Sequence, residues 1–211
     1  MKPHSRIERA SLADLMERLG PDAPTLCGGW DTYDLAAHLV ARDRRPDAGP
    51  GLLVSALAGW TEKVRLDVKK DNSYLELVEQ LRKGPPVWSP VGLPFLESAS
   101  NTVEYYIHHE DVRRAQPAWS ARALPRSLED ALWNRLRAGA RLMLRSAPTG
   151  VRLVAPGGRE LTAKSDEPMV TLTAAPSELI LYCAGRQSVA RVDADGDPDA
   201  VATLAAASLR I

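Results

Sequence analysis

Cysteine is nearly absent: the 211 residues hold only Cys27 and Cys183. Two thiols are too few for a disulfide framework, and free thiols suit a reducing compartment. An excess of charge is missing too. Lys plus Arg and Asp plus Glu number 27 each. A formal charge of zero gives no support to a nucleic-acid partner or an acidic membrane. No apolar run approaches the roughly 18 residues that cross a bilayer. Residues 1–9 lack the apolar core of a signal peptide, so a cytoplasmic protein is expected. There is no P-loop, no dinucleotide-binding glycine pattern and no Gly-x-Ser-x-Gly elbow. With 45% apolar and 26% charged residues, the composition is that of a soluble globular chain, long enough for one large domain or two small ones.

The first two thirds read as helices. Ile7, Leu12, Leu15, Met16 and Leu19 recur at helical spacing, and Gly20-Pro21 ends the run. Residues 22–30 form a loop, after which Asp31 or Thr32 can cap a helix carrying Tyr33, Leu35, Ala36, Leu39 and Val40. Further helices are expected over residues 52–68, 74–81, 95–115 and 127–145, the last with Ser127 as its cap. Residues 84–94, with four prolines and two glycines, are a loop. Beyond Pro148 the pattern changes. Strands are expected at 151–154, 160–164, 169–173 and 189–192, with a hairpin turn at Pro156-Gly157-Gly158. Helices follow at 176–184 and 197–209, giving the order β-β-β-α-β-α. The expected architecture is α+β: a helical domain over 1–147 and a small α/β domain over 148–211.

Glu104 and His108 lie four residues apart within the expected helix 95–115, so both side chains leave one face about a turn apart. Glu97, Asn101, Glu104, His108 and Asp111 are spaced 4, 3, 4 and 3, the spacing of a core seam, yet all are polar. Buried, such a seam needs partners or a metal. Turned to solvent, with Val103 and Ile107 facing the core, it is merely the wet side. Imidazole and carboxylate together suit Zn²⁺, Ni²⁺ or Fe²⁺. Of the four histidines, His4 sits in a terminal segment, and His109 points about 100° away from His108. His38, inside a helix at the edge of its apolar face, is the natural third ligand. Asp34, one turn before His38, and Asp111, three residues after His108, are candidates to orient an imidazole.

The same residues carry a family resemblance. The segment from Thr25 to Pro46, which includes Cys27-Gly-Gly-Trp30 and Ala37-His38, resembles the first motif of the DinB-like, mycothiol-dependent maleylpyruvate isomerase-type proteins. The segment Glu104-Tyr-Tyr-Ile-His108-His-Glu-Asp111 resembles their second metal motif. Residues 5 to about 145 are similar to the family's four-helix bundle. The C-terminal part, with residues 176–186 and Asp195-Gly-Asp197, is similar to the sterol carrier-like domain appended in many members. The resemblance implies zinc on His38, Glu104 and His108, and a low-molecular-weight thiol such as mycothiol as cosubstrate. A metal lowers a thiol's pKa and yields thiolate at neutral pH. Within that group the resemblance is to an uncharacterised metal-binding subfamily, so transferase, isomerase and non-catalytic metal- or ligand-binding readings all stay open, as does a homodimer.

Other residues carry two readings each. Arg42, Arg44 and Arg45 follow His38 and could bind a carboxylate or phosphate of a substrate, or form a solvated helix end suited to the dipole. Arg186 could join the substrate site if the C-terminal domain closes over the metal. Cys27 could approach the metal or act as a redox thiol, or be incidental, since nothing basic adjoins it in sequence. Cys183, in an apolar helix, reads as core.

Overall fold

The computed structural model describes residues 3–48, 58–92 and 94–209, without the side chains of residues 48, 58 and 94–100. Eight α-helices and four strands lie among them: α1 His4–Leu19, α2 Thr32–Arg44, α3 Ala58–Asp71, α4 Tyr74–Lys83, α5 Pro94–Arg114, α6 Arg126–Met143, β1 Gly150–Ala155, β2 Arg159–Lys164, β3 Met169–Thr173, α7 Pro176–Cys183, β4 Asp193–Asp195 and α8 Pro198–Ala206. The expected helix over 52–68 falls partly outside the described residues, as does the side chain of Glu97.

By contacts the chain divides into two compact units, Met1–Ala121 and Arg122–Ile211. The first holds α1 to α5. α1 packs along α5 and against α4, while α2 packs against α3 and α4. The stripes that meet are those the periodicity marks: Leu12 and Met16, Leu35 and Leu39, Val64 and Val68, Leu77 and Leu81, together with Tyr105 and Val112. Each buried aliphatic side chain contributes about 1.5–3 kcal/mol.

Capping fixes where α2 begins, and with it the height of His38. The Asp31 carboxylate accepts from the Asp34 backbone N–H at 2.7 Å, and the Asp34 carboxylate faces back to the Asp31 N–H at 3.5 Å. The loop before α2 is shaped by Thr25, whose hydroxyl donates to the Trp30 carbonyl at 2.8 Å and accepts from the Cys27 N–H at 3.1 Å. Gly29 turns the chain with a φ of 81°, a conformation that favours glycine.

The second unit carries a four-stranded mixed sheet in the order β2-β1-β3-β4. β1 runs antiparallel to β2 and parallel to β3, and β3 runs antiparallel to β4. α6 packs against α7 and β2, so its stripe of Leu128, Leu132 and Leu136 is buried with the sheet's own unit. Two local expectations need correction. β4 is Asp193–Asp195 rather than 189–192, because the Val189 and Ala190 N–H groups bond the Arg186 carbonyl in a turn after α7. α6 starts behind Pro125 with no side-chain cap, and Ser127 lies inside it.

Candidate metal centre

The polar seam of α5 faces inward. Asn101 and Asp111 are fully buried, and Glu104 and His108 are half-buried. α5 presents Glu104 and His108 one turn apart. Across from them α2 presents His38, held at 5.2 Å from the Trp30 ring. The three come together. Glu104 Oε1 lies 3.6 Å from His38 Nε2 and 3.4 Å from His108 Nε2. One ligand atom from each residue falls within 4.8 Å of the other two. The imidazole rings stand edge to face, 5.4 Å between centroids. A tetrahedral zinc with bonds of about 2.0–2.2 Å spaces its ligand atoms roughly 3.3–3.6 Å apart. The two separations from Glu104 match that spacing, so the donor set fits a divalent cation in size and in chemistry.

Behind His108 lies a second layer. Asp111 Oδ2 is 3.0 Å from His108 Nδ1, and the Cys27 thiol donates to the same oxygen at 3.1 Å while standing 3.6 Å from that nitrogen. The loop that delivers Cys27 is tied to α5. The Leu26 N–H donates to the Asp111 carbonyl at 3.1 Å, and the Gln116 amide to the Pro24 carbonyl at 3.0 Å. Cys27, His108 and Asp111 also converge closely enough to hold a cation. Their 3.0 and 3.1 Å separations are hydrogen-bond lengths, however, and a carboxylate behind a ligating imidazole is the usual arrangement of metal sites.

The electrostatics follow from burial and neighbours. Burial pushes the His38 pKa down, which favours the neutral imidazole a metal requires. Burial alone would push the Glu104 carboxyl up, but hydrogen bonds from His108 and His38 and the Arg42 guanidinium hold it well below the usual carboxylate range. His108 goes the other way. Against the cost of burial, Asp111, Cys27 and Glu104 lift it well above the ordinary histidine value. Carboxylates therefore flank His108 on both sides, Glu104 at Nε2 and Asp111 at Nδ1, and a metal bound at Nε2 would displace a proton from the ring.

The remaining candidates are dispersed. Asp34 does not turn to an imidazole. Its Oδ1 accepts from Arg65 Nη1 at 2.5 Å and Lys69 Nζ at 2.7 Å, which ties α2 to α3. Asp111 is the carboxylate that reaches a histidine. Arg42 stands at the site, its Nε 3.4 Å from Glu104 Oε1, with a side chain only 9% exposed. It is not part of a solvated helix end. Arg45 pairs with Asp47 at 2.8 Å and is exposed. Arg44 donates to the Gln80 and Gly84 carbonyls. In the second unit Arg186 donates to the Ala184 carbonyl at 2.5 Å. His109 is buried against Glu8, 2.8 Å away. The sequence reading missed Asp43 and Tyr105, which join the site through Arg42 and whose only signal was their nearness to Arg42 and Glu104 in sequence.

A helical unit with an inward polar seam, followed by a small mixed-sheet unit, has solved counterparts. The crystal structure of the mycothiol-dependent maleylpyruvate isomerase matches with a TM-score of 0.61 at 16% identity, over 91% of this chain and 90% of that one. A histidine-to-alanine mutant of that enzyme matches with a TM-score of 0.52 at 15% identity over the same shares. The chain therefore shares their fold across nearly its whole length. No protein-family model matches the chain, and no curated protein does. Among the described residues, no helix is long and apolar enough to cross a membrane.

Proposed function

We propose that the chain belongs with the DinB-like, mycothiol-dependent maleylpyruvate isomerase-type proteins and binds one divalent metal, zinc, through His38, Glu104 and His108. Its reaction is a thiol transfer or a thiol-assisted isomerisation with a low-molecular-weight thiol such as mycothiol. The observation that carries this reading is the convergence of two imidazoles on one carboxylate oxygen of Glu104, a side chain that is 29% exposed. Three protein ligands and an accessible face are how catalytic zinc is held, whereas structural zinc takes four.

The metal, when bound, would supply Lewis acidity that lowers the pKa of a coordinated thiol. The chain's own groups do the rest. His38 is kept neutral by burial and offers Nε2 without first losing a proton. Asp111 holds Nδ1 of His108 and so aims Nε2 at the cation. Arg42 and the two imidazoles keep Glu104 ionised. Trp30 packs tilted against the His38 ring and also meets the Arg65 guanidinium 4.8 Å from its ring centroid. A cytoplasmic setting, where such thiols stay reduced, suits a protein whose two cysteines form no disulfide.

The test is calorimetric titration of the zinc-loaded protein with mycothiol, glutathione and 2-mercaptoethanol. Binding that releases a proton and vanishes in the metal-stripped protein is expected. Zinc uptake without binding of any thiol would leave a metal-binding protein with no thiol chemistry.

A further inference from the structure

Arg42 lies one turn beyond His38 on α2, a position that invites a role as anchor for an anionic substrate. Its surroundings assign it elsewhere. All three guanidinium nitrogens already face acceptors: Nε stands 3.4 Å from Glu104 Oε1, Nη1 donates to Asp43 Oδ1 at 3.1 Å, and Nη2 donates to Asn101 Oδ1 at 2.7 Å. The acceptors are themselves fixed. Asn101 is fully buried, and its amide donates to the Val91 carbonyl at 2.8 Å. Asp43 is buried as well and accepts from the Tyr105 hydroxyl at 2.8 Å. A planar fork hydrogen-bonded at two nitrogens and ion-paired at the third keeps one orientation. Little of it remains free to grip a substrate.

The oxygen that Arg42 faces is the one that both imidazoles face. A carboxylate can meet a cation through one oxygen or through both. Here the guanidinium holds Oε1 from the α2 side. Turning the carboxylate until both oxygens reach the cation would take Oε1 away from Nε. The geometry points to Arg42 as a positioning residue that makes Glu104 a one-oxygen donor and so keeps a coordination position open for an exogenous anion such as a thiolate. This inference rests on the metal-site reading above and adds to it a specific division of labour. The clamp comes from Asn101, Asp43 and Tyr105, and the cation's open position depends on it.

Cobalt(II) is the probe, because its visible absorption weakens as its coordination number rises above four. Arg42→Met combined with Asp43→Asn removes the guanidinium without stranding a buried carboxylate, since the Tyr105 hydroxyl can still donate to the amide oxygen. Arg42→Lys keeps the charge but loses the fork, and Asp43→Asn alone separates the loss of one clamp acceptor from the loss of the guanidinium. The expected result is that the double variant folds and binds one cobalt per chain, with visible absorption per bound cobalt reduced several-fold. Its affinity for 2-mercaptoethanol, measured on the cobalt protein, falls roughly tenfold or more. Arg42→Lys shifts the same way, and Asp43→Asn, which loses one of the clamp's acceptor oxygens, shifts less than the double variant. Should the double variant fail to fold, Arg42→Lys alone decides by the same readout. Unchanged cobalt bands overturn the assignment. So does a folded variant that no longer takes up cobalt, because Arg42 would then be needed to bind the cation rather than to orient its ligand. Failure of the wild-type protein to take up cobalt would instead strike at the metal site itself.

Discussion

His108 is engaged through both ring nitrogens, with Nε2 toward Glu104 and Nδ1 toward Asp111 and Cys27. A ring held on both sides cannot rotate freely, so Nε2 keeps its direction toward Glu104. Asp111→Asn keeps the shape but replaces an ionised acceptor with an amide. It is expected to weaken zinc binding roughly 10–100-fold, as measured by competition with a chromogenic chelator, and an unchanged affinity would remove Asp111 from the site. Residues bound by helical spacing were legible in the sequence: Glu104 and His108 share a face because they are four apart. Cys27 was not. Its thiol sits in a loop 81 residues from His108 in sequence, and hydrogen bonds from Leu26 and Gln116 help tie that loop to α5. Arg42 was legible as a nearby cation, but its buried partners Asp43 and Asn101 depend on how α2 and α5 face each other.

The elements that carry the site are fixed by polar ties at their ends and apolar stripes along their lengths. α2 shows this most clearly. Asp34 closes the capping box at its start and accepts from Arg65 and Lys69 on α3. Burial would push the Asp34 carboxyl up, but the hydrogen bonds from Lys69 and Arg65 outweigh that and hold it at about 2, against an ordinary value of 3.8. A carboxyl lowered on folding stabilises the native state above its unfolded pKa, and that stability drains away as pH falls through the folded value. Asp34→Asn should therefore lower stability at neutral pH by roughly 1–3 kcal/mol. In urea unfolding series, the gap between variant and wild type should shrink below pH 3.8 and close near pH 2. A gap that stays constant down to pH 2 would show that Asp34 acts through its cap alone. Periodicity located these helices because each buries one stripe. It misplaced β4 because Val189, Ala190 and Val192 are apolar and strand-like, yet the segment follows α7 so closely that Val189 and Ala190 fall in a turn. The true strand, Asp193–Asp195, is exposed throughout and pairs on one side only, so it carries no apolar alternation to read.

Taken whole, the chain keeps a fold shared with the mycothiol-dependent maleylpyruvate isomerase at only 16% identity. Such a fold is specified by where apolar stripes and polar interruptions fall more than by which residues fill them. The expected joint at residues 146–150 and the contact division after Ala121 differ by one helix. A stripe such as Leu128, Leu132 and Leu136 tells that α6 is buried on one face, but not which neighbour covers it. The zero net charge gave no clue to the site either, since the charges that matter are few and largely hidden: Glu104, Arg42, Asp43 and Asp111 lie on two helices that tertiary packing brings together. The central claim is that those helices hold one metal through His38, Glu104 and His108. Zinc content per chain, measured by elemental analysis after stripping and reloading, tests it directly on the wild type and on His38→Ala, His108→Ala and His109→Ala. The account predicts about one zinc in the wild type and in His109→Ala, and loss of bound zinc in the other two. Full occupancy in both His38→Ala and His108→Ala would contradict it.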